Sequence, residues 1–272
     1  MYAWVDGRIV PAGDPAIAVL DHGLTVGDGV FETLAVRDGV PFALRRHLDR
    51  LAASAGRLGL ASPTEATLRS AVAEVLGAAS GPVGRLRITL TGGVGPLGSG
   101  RGDAGPTLIL AVGPAGTWPA AETLATAPWP RNERSALAGV KTTSYAENVV
   151  ALAWARGVGA GEALFCDTRG LLSECTGSNI FAVLDGELVT PALSTGCLAG
   201  VTRGLVLAWC GGAEVEVAAD ALDRASEVFL TSSTRDIQPV SRVDQRTFPT
   251  PGPVTASAMA TWTARAGTEV DP

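Results

Sequence analysis

Residues 113–121 run GPAGTWPAA, a stretch rich in proline and glycine with no hydrophobic period. Proline locks φ and has no amide hydrogen, so neither a helix nor a central strand passes through such a segment. It reads as a linker, with a smaller N-terminal domain over 1–112, the connection over 113–121 and a larger domain over 122–272. Ahead of it, residues 2–10 read as a hairpin turning at Asp6-Gly7. Leu44, Leu48, Leu51, Ala55 and Leu58 step by four and three, one stripe of an amphipathic helix, with Arg45, Arg46 and Arg50 off it. The stretches 85–90 (RLRITL) and 107–112 (TLILAV) read as strands. Behind the linker we expect strands near 123–127, over 162–167 and over 227–231, and a hairpin over 179–190 turning at Asp185-Gly186. Helices are expected through 151–156 and from about 201 to 209, and the tail from Phe248 begins as loop and ends in a short helix. Strands and helices mix without regular βαβ alternation, which points to an α+β fold rather than a doubly wound sheet.

Composition narrows the function. A net charge of −6 argues against nucleic acid or an anionic membrane as partner. The N-terminal run has no basic region leading into an apolar core, so no secretory leader is expected. No stretch reaches the ~18 apolar residues of a membrane span. Cys166, Cys175, Cys197 and Cys210 form no CxxC pair, and His22 and His47 are the only histidines, so no metal site is expected. Unpaired cysteines suit a reducing cytoplasm. The run GVGPLG at 93–98 matches GxGxxG, but SGRGDAGP follows it and cannot open the helix that a dinucleotide fingerprint requires.

Among 21 lysines and arginines, Lys141 is the single lysine. A guanidinium stays protonated, whereas a lysine amine can lose its proton and form a Schiff base. Four further segments supply what pyridoxal phosphate chemistry needs. Glu174, in the run SECTGSN, can hydrogen-bond a pyridine nitrogen and keep it protonated. Val201 and Thr202, in GVTR at a helix start, can offer N–H groups and a hydroxyl to a phosphate. Ser233 and Thr234 at a strand end add donors, and Arg50 in HLDRL adds counter-charge.

These segments closely resemble the fold-type IV pyridoxal phosphate enzymes, the class IV aminotransferases. The resemblance begins at LDHGLTVGDGVFET (20–33) and covers nearly the whole chain. It implies a two-domain α+β fold with the Schiff-base lysine in the larger C-terminal domain, and pyridoxal 5′-phosphate as cofactor. It makes Lys141 the acid–base and attachment residue, and Glu174 the pyridine partner. Arg50, Val201, Thr202, Ser233 and Thr234 become the phosphate cup. Branched-chain enzymes place a tyrosine that contacts the cofactor's phenolic oxygen five residues after the lysine, and the resemblance makes Tyr145, four after it, the cofactor-binding candidate here. The D-amino acid enzymes trap the substrate carboxylate with an Arg-x-His pair in the loop after the RLRITL-type strand. This loop, 92–105, holds Arg101 but no histidine, so Arg101 and Arg37 are the candidates, with Phe31 where those enzymes tend to have tyrosine. Aminodeoxychorismate lyases resemble the chain around Arg131 and at Glu174-Cys175, but carry threonine where Glu32 stands. The resemblance implies a transaminase between an amino acid, D-alanine first, and a 2-keto acid such as 2-oxoglutarate. Lyase, then branched-chain or R-amine activity, follow as alternatives. It also implies a homodimer in which the 92–105 loop serves the neighbouring subunit.

Overall fold

The computed structural model describes all residues, Met1–Pro272. The chain divides into two compact units. The first holds Met1–Gly116, Val140–Tyr145 and Val270–Pro272, and the second Thr117–Gly139 and Ala146–Glu269.

In the first unit, β1 (Tyr2–Val5), β2 (Arg8–Pro11), β3 (Gly29–Arg37), β4 (Val40–Pro41), β5 (Arg85–Thr91) and β6 (Thr107–Gly113) form one antiparallel sheet in the order β2-β1-β6-β5-β3-β4. The short helix α1 (His22–Thr25) precedes β3, while α2 (Leu44–Leu58) and α3 (Glu65–Gly77) cover one sheet face. The core joins Leu48 and Leu51 of α2 and Leu68 and Val72 of α3 to Val30 and Leu34 of β3 and Leu86, Ile88 and Leu90 of β5. Strand alternation therefore sends Phe31, Arg87 and Thr89 to the opposite face. Asp6-Gly7 and Asp38-Gly39 turn two hairpins with both residues at positive φ, the requirement of a type I′ turn. After the GVGPLG run no helix forms before β6.

In the second unit, β7 (Glu122–Thr126) is followed by α4 (Ala146–Gly157), β8 (Glu162–Cys166), β9 (Leu172–Cys175) and the hairpin β10 (Asn179–Leu184) and β11 (Glu187–Pro191). Then come α5 (Val201–Cys210), β12 (Ala213–Val215), β13 (Glu227–Ser232), β14 (Asp236–Val243), β15 (Arg246–Thr247) and α6 (Pro253–Ala266). The strands form one mixed sheet in the order β12-β11-β10-β13-β14-β7-β8-β9, with β15 paired to β14. Asp185-Gly186 turns the β10–β11 hairpin, again with both φ positive. No helix is long and apolar enough to cross a membrane.

The fold is α+β as expected, with one difference in where Lys141 sits. The sequence reading put it in the C-terminal domain, but Val140–Tyr145 groups with the first unit. The reason is backbone pairing. Phe31 N–H donates to Lys141 O at 2.9 Å, Thr143 N–H to Gly29 O at 2.8 Å, and Thr142 bridges Val30.

Candidate active site

Pairing against β3 fixes where the lysine side chain goes. The Lys141 ammonium lies 4.5 Å from the centroid of the Phe31 ring, and Tyr145 meets the same ring edge-on at 5.4 Å. Tyr145 thus reaches this cluster despite its shifted spacing. A second cation is here too: the Arg87 guanidinium lies 3.7 Å from the Phe31 centroid. Its one hydrogen bond goes to Thr89 Oγ1 at 3.3 Å, and no carboxylate pairs with it. Desolvation pulls the Arg87 pKa below the usual arginine value, with only Tyr145 pulling it back.

On the other face of β3, Glu32 is fully buried under α2. Arg50 donates to it twice, Nε to Oε1 and Nη2 to Oε2, each at 2.7 Å. Burial alone would raise the Glu32 carboxyl, but the Arg50 charge and hydrogen bonds, joined by those of His47, hold it at about 2. An ionised carboxylate only accepts, so His47 Nδ1 carries the hydrogen in its 2.6 Å contact with Glu32 Oε2. Burial of the ring pushes the His47 pKa down and keeps it neutral.

The two candidates for a substrate-carboxylate trap are placed elsewhere. Arg101 forks Asp28 at 2.6 Å through both Nε and Nη2 and donates to Leu58 O and Gly59 O at the end of α2. Every nitrogen is engaged, so Arg101 pins its loop instead of offering a free fork. The Arg37 guanidinium sits 4.4 Å from the Phe42 ring. It lies six residues beyond Phe31 on the same strand, about 20 Å away at ~3.3 Å per residue.

In the second unit, Glu174 near the end of β9 is fixed from two sides. Its Oε2 accepts from Leu198 N–H at 2.9 Å, and Arg131 Nη2 approaches Oε1 at 3.5 Å. Arg131 also stacks on Phe165 at 4.1 Å, pairs with Glu147 and donates to Asn148 Oδ1 at 3.2 Å. Asn148 in turn donates to Thr176 O at 2.8 Å, tying α4 to the loop after Glu174. Burial pushes the neighbouring Cys175 thiol far up and Cys197 to about 11, so neither is a reactive thiolate at neutral pH.

Helix α5 opens at Gly200 with no side-chain cap, leaving the N–H groups of Val201 and Thr202 at a bare helix N-terminus. Thr202 is therefore inside the helix and not its cap. Glycine is required at 200 because a Cβ there would stand 2.0 Å from Asn179 Oδ1, whose amide holds Leu198 O at 2.8 Å. Gly200→Ala is expected to raise the dissociation constant for a phosphate-bearing cofactor at least tenfold without changing the circular dichroism, as a fluorescence titration would read. Ser233 and Thr234 form the turn between β13 and β14, where Trp118 Nε1 donates to Thr234 O at 2.8 Å. Beside them the buried hydroxyls of Thr231 and Ser232 have no partner. In the second unit the bare helix start, the spare hydroxyls and the anchored carboxylate are donors of the kinds that suit pyridoxal 5′-phosphate, and the first unit by itself offers the lysine amine.

Sequence reasoning missed Arg87, Arg131 and the Glu32–His47 pair. Arg87 and Glu32 stand in quoted motifs, RLRITL and VFET, but only strand register shows which face each takes.

The family model for amino-transferase class IV matches residues 29–243. The D-alanine aminotransferase of Bacillus licheniformis is 30% identical over 274 residues, covering 93% of this chain and 93% of that protein. The crystal structure of 4-amino-4-deoxychorismate lyase from Pseudomonas aeruginosa superposes with a TM-score of 0.84 at 33% identity, covering 98% of this chain and 99% of that one. The branched-chain amino acid aminotransferase of Escherichia coli gives a TM-score of 0.89 at 26% identity, covering 99% and 94%. The chain belongs to the class IV aminotransferases, and it is a pyridoxal phosphate-dependent enzyme of that family.

Proposed function

We propose that the protein moves an amino group from an amino acid, D-alanine or a close relative, to a 2-keto acid such as 2-oxoglutarate. The observation that carries this reading is Arg87. It is a solvent-accessible guanidinium without a carboxylate partner, on the same Phe31 ring as the Lys141 amine. A guanidinium that no carboxylate occupies is open to an incoming anion, and its planar fork suits a carboxylate. An amino acid held there by its carboxylate brings its Cα toward Lys141. Arg87 takes over the role expected of Arg101 and Arg37, and Phe31 lines the substrate position.

Bound pyridoxal 5′-phosphate supplies an aldehyde for amines and a ring that accepts the electron pair left at Cα. Lys141 Nζ would take the Cα proton and return a proton to the cofactor's aldehyde carbon, so that hydrolysis releases the keto acid. Glu174 would accept a hydrogen bond from the cofactor's ring nitrogen and keep its proton in place. Val201, Thr202, Ser233, Thr234 and Arg50 would hold the phosphate, and Tyr145, which packs edge-on against Phe31, would contact the cofactor.

The reading favours a transaminase over a lyase because of Glu32. Its carboxylate forks Arg50 and accepts from His47, and the threonine of the lyase pattern is too short to do either. The D-alanine enzyme of Bacillus licheniformis supports the choice of donor. Arg87→Met should raise KM for the amino donor at least tenfold and leave the visible band of lysine-bound cofactor unchanged. An unaltered KM would remove the carboxylate role.

We also infer a homodimer. In the first unit Val19, Leu24 and Leu97 are 78%, 68% and 81% exposed, and Leu20 and Val26 lie beside the first two in sequence. Apolar exposure of this kind marks an association surface. Light scattering should give twice the monomer mass, and Leu24→Glu with Leu97→Glu should halve it.

A further inference from the structure

Three charges are buried together in the second unit, and none belongs to the groups assigned to the chemistry. Arg235, Glu122 and Glu162 have side chains 8%, 8% and 1% exposed. Arg235 directly follows the Ser233-Thr234 turn. Its Nη2 pairs with Glu162 Oε1, and its Nη1 lies 3.4 Å from Glu122 Oε2 and donates to Gln238 Oε1 at 3.1 Å. The guanidinium also stacks 3.9 Å from the Trp118 ring, whose Nε1 donates to Thr234 O at 2.8 Å. The turn is therefore gripped at Thr234 by the indole and at Arg235 by the carboxylates.

The anchor is itself immobile. Glu162 Oε2 accepts from Thr176 Oγ1 at 3.2 Å, Gly177 N–H at 3.1 Å and Ser178 Oγ at 3.1 Å. Glu122 Oε1 accepts from Thr123 N–H at 3.0 Å, and room for it exists because residue 161 is glycine, where a Cβ would stand 1.9 Å from that oxygen. A buried ion pair is a weak source of stability and a better device for fixing one geometry. What this one fixes is the turn bearing Ser233 and Thr234.

We propose that Arg235 is the positioning residue for the phosphate-binding turn, clamped between Glu162 and Trp118. The proposal rests on the reading of Ser233 and Thr234 as phosphate donors. The test titrates apo-protein with pyridoxal 5′-phosphate and, separately, with pyridoxal, which lacks the phosphate. Arg235→Met should weaken binding of the phosphorylated form at least tenfold and of pyridoxal less than threefold, while Arg235→Lys recovers most of the difference. Trp118→Phe, at a residue 41% exposed that folding tolerates, should give a smaller loss of the same selective kind. Parallel weakening of both ligands, or none, in Arg235→Met and Trp118→Phe alike would overturn the role of Arg235. A wild-type protein that binds both ligands equally would instead overturn the phosphate reading itself.

Discussion

Replacing Lys141 by alanine is expected to lower the transamination rate by about 10⁴-fold or more, because one residue provides both covalent attachment and proton transfer, the latter alone contributing ~10²–10⁴. The fold should survive the change. Lys141 is held to β3 through its carbonyl, which accepts from Phe31 N–H, and alanine keeps that bond. Arginine should be equally inactive, since a guanidinium stays protonated and forms no Schiff base. An added small primary amine should restore part of the proton transfer in the alanine variant. Steady-state rates with absorbance spectra of both variants test this, and activity within tenfold of wild type would remove Lys141 from the chemistry.

Glu174→Gln is the second large effect, and it separates charge from shape. Glutamine can still accept from Leu198 N–H, so the loop before α5 stays in place. The charge is lost, and Arg131 then faces a neutral amide 3.5 Å from its Nη2. Losing a charge-assisted hydrogen bond at a reacting centre costs about 3–4 kcal/mol, a fall in kcat of roughly 10²–10³. Cofactor affinity should change less than tenfold, and α-deuterated donor should show a larger isotope effect than in wild type, since Cα deprotonation becomes limiting. Full activity in Glu174→Gln would dismiss the electron-sink role.

Much of this was legible because local chemistry wrote it. Asp6-Gly7 and Asp185-Gly186 announce type I′ hairpins, the leucine stripe announces α2, and Gly200 ahead of Val201 announces a bare helix start. Lys141 stood out because the other twenty of the 21 lysines and arginines are arginine. Strand β3 did not stand out. Its first residues are buried on both faces, Gly29 to Glu32 alike, so the alternation that marks a half-exposed strand is missing. Arg87, Arg131 and Arg235 were hidden for another reason. One arginine among twenty gains its meaning only from what register and packing set beside it: a ring without a carboxylate, a carboxylate on β9, or a buried glutamate on β8. Arg101 shows the converse, an arginine in the expected loop that Asp28 has already claimed. The affiliation of 140–145 with the first unit was equally unreadable, being fixed by backbone bonds to residues more than a hundred positions away.

The most direct measurement presents purified protein carrying pyridoxal 5′-phosphate with D-alanine and 2-oxoglutarate, and follows the visible band and pyruvate together. The account predicts that the band bleaches, that pyruvate forms, and that L-leucine does neither. A band inert to D-alanine, with 4-aminobenzoate released from aminodeoxychorismate, would contradict it.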